Sequence, residues 1–98
     1  MAFSDKYDFE LLVNQAESLV INELGRQLEA HRGEVCRCNE CVVDMAAIAL
    51  NMVKPLYRFS LLGSLYAAQA MNENSYAGSV QKAVGEAIER VRKNPSHD

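Results

Sequence analysis

The chain has 98 residues, the size of one small domain, and 49% of them are hydrophobic, a fraction that excludes an intrinsically disordered protein. Its formal net charge of −3 argues against nonspecific binding to nucleic acid or to an anionic membrane. The N-terminus has neither the basic nor the apolar region of a secretory signal, and no apolar run approaches the roughly 20 residues of a membrane-spanning helix. We therefore expect a single cytoplasmic domain over residues 1–98, with reduced thiols.

The first predicted helix runs from Tyr7 to His31. Asp5 or Asp8 can cap its start, and Gly33 lies just past its end, where glycine is a common stop signal. Apolar residues recur at steps of three and four and form one helical face: Phe9, Leu12, Val13, Ala16, Leu19, Val20, Leu24 and Leu28.

A second predicted helix covers residues 39–53, with Asn39 as its N-cap. It is apolar nearly all round, and Asp44 is the only charge between Glu40 and Lys54. Such a helix is buried on several sides. It ends before Pro55, whose ring disfavours helical backbone at the preceding residue.

The remaining chain predicts a short strand and a third helix. Tyr57, Phe59 and Leu61 alternate as in a strand, Gly63 breaks the run, residues 64–71 are predicted as a short helical turn, and residues 72–75 as a loop. The third helix runs from about Tyr76 to Lys93, and residues 94–98 are predicted to be a disordered tail. The apolar stripe of this third helix comprises Ala77, Val80, Val84, Ala87, Ile88 and Val91. Gly78 and Gly85 lie beside the stripe and allow close backbone approach. The fold class is therefore mainly α, a small domain of three to four helices.

All three cysteines of the chain lie in the stretch CRCNEC, residues 36–41. Their odd number and the reducing compartment argue against disulfides. Thiolates are soft donors that zinc accepts in tetrahedral sites, and the spacing of Cys36, Cys38 and Cys41 lets three sulfurs converge on one ion. The alternatives are small buried hydrophobic residues, or a redox pair, which is disfavoured because no βαβ pattern surrounds it. We expect zinc as the cofactor.

The fourth zinc ligand is less well defined by the sequence. His31 is favoured, because it lies five residues before Cys36 and Gly33 permits a turn between them. Asp44 follows Cys41 by about one helical turn and is a second candidate, either as a ligand or as a partner of one. A water molecule or a residue of a partner chain also remains open.

The order and spacing of several residues resemble those of the late competence development protein ComFB family. The similarity begins at Leu12-Val13-Asn14 and continues through the three cysteines, Asp44 and Ala49-Leu50-Asn51, and then Pro55, Tyr57, Ser60, Gly63 and Tyr66. It covers roughly residues 12–66. The resemblance implies a small helical cytosolic protein that forms a homodimer, binds zinc where the cysteines are present, and has no catalytic activity. Some members of the family are receptors for cyclic dinucleotides such as cyclic di-GMP.

Two function classes follow. The first is a zinc-binding regulatory or interaction protein that acts as an intertwined homodimer. A dimer is expected because the apolar second helix and Leu61-Leu62 present more apolar surface than a lone small domain can bury. The second is a cyclic di-GMP or cyclic di-AMP receptor that signals through protein partners. Its candidate binding residues are Lys54, Tyr57, Arg58 and Arg32, with Arg26 and Phe59 nearby, because arginine pairs with phosphate and stacks on purines. No nucleophile elbow, P-loop or zinc-protease motif occurs in the sequence, so an enzyme is not expected.

Overall fold

A computed structural model describes residues 2–59 and 75–95. Within these ranges the protein has three α-helices, two short 3-10 turns and one two-stranded antiparallel sheet, so the expected mainly helical class is confirmed. The helices are α1 (Ala16–Ala30), α2 (Asn39–Leu50) and α3 (Tyr76–Lys93); the strands are β1 (Val13–Asn14) and β2 (Tyr57–Arg58); the 3-10 turns are Phe3–Lys6 and Phe9–Leu11.

The prediction that the first helix begins at Tyr7 is wrong. Strand β1 precedes α1, and Val13 pairs with Arg58 while Asn14 pairs with Tyr57. The side-chain Oδ1 of Asn14 accepts hydrogen bonds from the backbone N–H of Ala16, at 3.2 Å, and of Leu56, at 2.7 Å. These bonds hold the chain extended at Asn14 and let α1 begin only after it.

The N-terminal turn has its own local hydrogen bonds. Asp8 caps the Phe9–Leu11 turn by accepting from the Glu10 N–H at 3.1 Å, rather than capping the long helix. Phe9 is 53% exposed. The apolar spacing in this stretch therefore does not mark the core-facing side of a helix.

Helix α2 is central to the core, although it ends three residues earlier than expected. Cys41, Met45 and Ala49 repeat at steps of four and are buried. Val43, on the opposite side, is 58% exposed, so α2 is not covered all round. Asn51 is the C-cap of the helix, and its backbone and side-chain N–H groups both donate to the Ala47 carbonyl.

Helix α3 confirms the predicted third helix with the same bounds. Its buried residues pack against α1 and α2 in one core: Tyr76, Val80, Ala83, Val84, Ala87, Ile88 and Val91. Ala77, expected in the stripe, is exposed. A Cβ atom at Gly85 would lie 3.4 Å from Gln27 Oε1, which supports the expected close approach of α1 and α3 there. Nothing described lies within 4 Å of one at Gly78.

Several expectations lie outside the described residues. They are the strand position of Leu61, the break at Gly63, the helical turn over residues 64–71 and most of the loop at 72–75. The Leu61-Leu62 pair, expected to add to an apolar interface, and the last three residues of the predicted tail also lie outside. Strand β2 itself confirms a short extended segment at Tyr57.

Candidate metal centre

The three cysteines converge at the start of α2. The Sγ atoms of Cys36, Cys38 and Cys41 all lie within 4.8 Å of one another, and we call this group the cysteine cluster. Zinc–sulfur bonds of about 2.3 Å require sulfurs close together, so a small contraction would bring this group onto one tetrahedral ion. The donor set and the spacing therefore fit zinc.

Local backbone geometry positions the sulfurs. Cys38 is the N-cap of α2, with φ −70° and ψ 164°, and its Sγ accepts a hydrogen bond from the Cys41 N–H at 3.4 Å. The expected N-cap, Asn39, is instead the first residue of the helix. The N-cap is Cys38 because its sulfur accepts the hydrogen bond that a side-chain oxygen usually accepts at this position. Cys41 is fully buried in the helical core, so the cluster is anchored to the fold at that position.

A second contact fixes the loop that carries Cys36. The Arg37 guanidinium donates to the backbone carbonyl of Leu28 at 2.7 Å. Leu28 belongs to the last turn of α1, and its carbonyl also accepts the His31 N–H at 3.3 Å. Arg37 therefore ties the loop between α1 and α2 to the end of α1.

Several contacts of the Cys38 thiol change its pKa in opposite directions. The Cys41 N–H is the largest and lowers the pKa, but burial and hydrogen bonds with the side chains of Cys36, Cys41 and Glu40 together outweigh it. The pKa of Cys38 is thereby raised to about 11. A bound cation would favour the thiolate form of such crowded thiols, and zinc would supply that positive charge.

A polar cavity of about 500 Å³ adjoins the cluster. It is lined by Gly33, Glu34, Val35, Cys36, Arg37 and Arg92. Arg92 comes from the last turn of α3, so the C-terminal end of that helix reaches the cysteine loop. The sequence analysis missed Arg92, since a basic residue in a last helical turn is common and carries no specific signal.

The model of the family described as "Late competence development protein ComFB" matches residues 13–95. This chain belongs to the ComFB family. A solved structure from a study titled "Structural characterization of the late competence protein ComFB from Bacillus subtilis" is similar to it, with a TM-score of 0.67 and 25% sequence identity. The match covers 87% of this chain and 92% of that one. No match was found among curated proteins.

The family resemblance seen in the sequence is thus confirmed, and it extends through α3. In this ComFB-family chain, no helix among the described residues combines the length and apolarity needed to cross a membrane.

The predicted fourth ligands lie outside the cysteine cluster. His31 is the C-cap of α1, and its Nδ1 accepts a hydrogen bond from the Gly33 N–H at 3.0 Å. His31 lines a separate cavity of about 300 Å³, together with Gly85 and Ile88 of α3 among others. Asp44 is half-buried on α2. Neither residue joins the three sulfurs in the group that could hold a metal, and the assignment of His31 stays a prediction.

The residues predicted to bind a cyclic dinucleotide are divided between two ends of α1. Tyr57 and Arg58 form β2 beside the start of α1, and Lys54 precedes them. Arg32 lies beyond the other end of a 15-residue helix, which is about 22 Å long at 1.5 Å per residue. Within one chain the four residues therefore do not form one site, and nucleotide binding stays a prediction that rests on the family resemblance.

Proposed function

We propose that this ComFB-family protein is a zinc-supported regulatory module that acts as a homodimer and binds a protein partner without catalysis. The observation that carries the proposal is the cysteine cluster, in which three sulfurs within 4.8 Å of one another are attached to the helical core. Family membership supports a role in regulation, since the family is described by late competence development.

Zinc in this position would join two parts of the fold. Cys36 belongs to the loop after α1, whereas Cys38 and Cys41 belong to the start of α2. One ion bound to all three would fix the loop against the helix. Because the complete ligand set exists only in the folded chain, zinc binding adds to the free energy of folding. A 98-residue chain has a small core, so this contribution matters.

The absence of catalysis is part of the proposal and follows from the expected coordination. Zinc that has four protein ligands has no open position for a water molecule or a substrate. Three ligands are supplied by the cysteine cluster, and one further protein ligand would close the site.

The dimer is supported by a surface different from the one that the sequence suggested. The exposed apolar side chains near the N-terminus line a shallow cavity of about 260 Å³ with Phe59, and we call Phe3, Tyr7, Phe9, Leu11, Leu12 and Phe59 the N-terminal apolar patch. Phe3 and Phe59 are 69% and 67% exposed. The ring of Phe3 lies 4.9 Å from that of Tyr7 and 6.2 Å from that of Phe9. Contiguous apolar surface of this kind commonly marks a protein interface.

Two measurements on freshly purified protein test the proposal. Elemental analysis is expected to find one zinc per chain, and light scattering is expected to give twice the chain mass of 10.9 kDa at micromolar concentration. Protein with no zinc, prepared without chelator, would contradict the metal centre. A mass of one chain would contradict the dimer.

A pair of variants locates the interface. Replacing Phe9 and Phe59 together with serine should shift the mass toward one chain, because both belong to the N-terminal apolar patch. Ile21→Ser is the matched control, since Ile21 is 55% exposed on α1 and lies outside that patch. Dissociation by Ile21→Ser alone would place the interface on α1 instead.

A further inference from the structure

The three cysteines differ in their access to solvent. Cys36 is half-buried and lines the polar cavity of about 500 Å³, together with Arg37, Arg92 and Glu34 among others. Cys41 is fully buried. A partly exposed thiol next to positive charge is the usual environment of a reactive cysteine, whereas a buried structural thiol is inert. Cys36 is therefore the sulfur that an oxidant in the solvent would meet.

The Cys38 thiol lies in contact with the sulfur of Cys36. The side chains of Cys36 and Cys41 both share hydrogen bonds with that of Cys38. The three Sγ atoms lie within 4.8 Å of one another. If Cys36 were oxidised, a second thiol would already stand beside it, and a neighbouring thiol of this kind is typical of redox-sensing cysteines.

The backbone allows a disulfide between these two residues, although under strain. Cys36 and Cys38 are two residues apart in the loop before α2, so their Cα atoms are at most about 7 Å apart, near the upper limit for a disulfide. A strained disulfide is easily reduced, and disulfides of this class are the regulatory ones. Such a bond suits a reversible response better than a permanent link.

We propose that hydrogen peroxide converts the cysteine cluster to a disulfide between Cys36 and Cys38, which releases the zinc ion and makes the metal centre sensitive to redox conditions. This inference rests on the proposed zinc centre and adds regulation to it. An ion left with Cys41 alone among the three thiolates is held too weakly to stay bound. The contribution of zinc to the free energy of folding is then lost until the disulfide is reduced.

The reaction takes place in two steps. The Cys36 thiolate attacks one oxygen of hydrogen peroxide, the O–O bond breaks, and hydroxide leaves, so that Cys36 becomes a sulfenic acid. The Cys38 sulfur then attacks the Cys36 sulfur, and the S–O bond breaks to release a second hydroxide. Each hydroxide takes up a proton to give water, and the two sulfurs have supplied the two electrons that reduce the peroxide. Arg37 and Arg92 favour the Cys36 thiolate, since both line its cavity.

Peptide mapping tests the proposed pairing, because Arg37 lies between the two cysteines. Trypsin releases residues 33–37 and residues 38–58 as separate peptides, since the bond before Pro55 resists cleavage. Zinc-loaded protein is treated with hydrogen peroxide, the remaining thiols are alkylated, and the protein is digested without a reductant. We expect a disulfide that links the two peptides, with fragmentation placing the bond at Cys38.

Zinc release is followed in the same sample with a chromophoric chelator. We expect one zinc released per chain, and dithiothreitol should restore binding. A disulfide confined to the peptide 38–58, or a bond at Cys41, would overturn the pairing. Zinc release without any disulfide would overturn the redox mechanism. Protein purified without zinc would contradict the zinc centre instead, and the cross-link in that same protein would still support the disulfide.

Two variants identify the sulfur that reacts first, both without bound metal. Cys38→Ser keeps an oxygen acceptor at the N-cap of α2, so the helix is retained. Its Cys36 sulfenic acid has lost its partner thiol and should be trapped by dimedone at Cys36. In Cys36→Ser, peroxide should consume the remaining thiols at least about 10-fold more slowly than in the original protein. A dimedone adduct at Cys41 alone, or an unchanged rate in Cys36→Ser, would overturn the role of Cys36.

Discussion

The two ends of α1 are built in opposite ways. At its C-terminal end, the cysteine cluster is attached to the core through Cys41, which is fully buried. At its N-terminal end, the N-terminal apolar patch lies on the surface, and residues 2–12 contribute no buried side chain. The first region is stabilised within one chain and contains three sulfurs that could hold a metal ion. The second has apolar side chains that a single chain does not cover.

This difference separates folding from association. Substitutions at the cysteine cluster should change the free energy of unfolding of the chain itself, because the three cysteines pack in or against the hydrophobic core. Substitutions in the N-terminal apolar patch should mainly change the affinity between copies, because those side chains are already exposed to solvent.

The largest effect is expected at Cys41. Cys41→Ser removes a ligand of the proposed zinc centre and places a hydroxyl among buried apolar side chains, so we expect zinc loss and a decrease of more than about 4 kcal/mol in the free energy of unfolding. Cys36→Ser removes a ligand from a half-buried loop position, and its cost should be clearly smaller. Chemical denaturation in the presence of zinc measures both. Equal costs would show that the core attachment at Cys41 adds nothing beyond metal binding.

The sequence predicted one end of α1 better than the other, for physical reasons. The spacing of the cysteines is a short-range constraint, and it correctly grouped three sulfurs at the start of α2. The apolar periodicity of Phe9, Leu12 and Val13 resembled that of the helix behind it. The helix begins only after Asn14 because Asn14 Oδ1 accepts a hydrogen bond from the N–H of Leu56, 42 residues away in sequence, and such a contact leaves no local pattern.

Helix α3 also shows that the sequence predicts local structure better than contacts between distant residues. Helix α3 was predicted with correct bounds because its buried stripe is strongly amphipathic and Pro95 follows it. The proximity of Arg92 to Cys36 depends on how α3 packs across the domain, and periodicity along one helix does not contain that information.

The second-largest loss of stability is expected in α2, the helix that carries the cysteine cluster. Met45 is fully buried on α2, and Met45→Ala should cost about 2–5 kcal/mol through lost apolar burial and a remaining cavity. Met52, just after α2, is 40% exposed and is the matched control, with an expected change within about 0.5 kcal/mol. Thermal unfolding should show a decrease in Tm for Met45→Ala alone. A comparable decrease for Met52→Ala would indicate that Met52 is buried in the dimer.

A smaller effect is expected where the N-terminal region joins the domain. Asn14→Ala removes the acceptor for the N–H groups of Ala16 and Leu56 and should cost about 1–3 kcal/mol. Asn14→Asp places a carboxylate oxygen where the amide oxygen accepts these two bonds, so it should retain most of the stability. Hydrogen exchange at the Leu56 amide checks the local cause, with faster exchange expected in Asn14→Ala only. Equal destabilisation by both variants would contradict the role assigned to this oxygen.

The smallest effect compares an exposed helical position with one between helices. Alanine costs a helix about 0.5–1 kcal/mol less than glycine does, and nothing described lies within 4 Å of a Cβ atom at Gly25 on α1, so Gly25→Ala should stabilise by about that amount. At Gly85 the new Cβ would lie 3.4 Å from Gln27 Oε1. Gln27 Nε2 donates to Glu23 at 2.7 Å and to the carbonyl of Gln81 at 2.9 Å, so any shift of the amide disturbs two bonds. Gly85→Ala should therefore gain less than Gly25→Ala, and a gain of 1 kcal/mol corresponds to about 4–8 °C in Tm for a domain of this size. If Gly85→Ala raised Tm as much as Gly25→Ala, the contact between α1 and α3 would have to be looser than the Gln27 hydrogen bonds indicate.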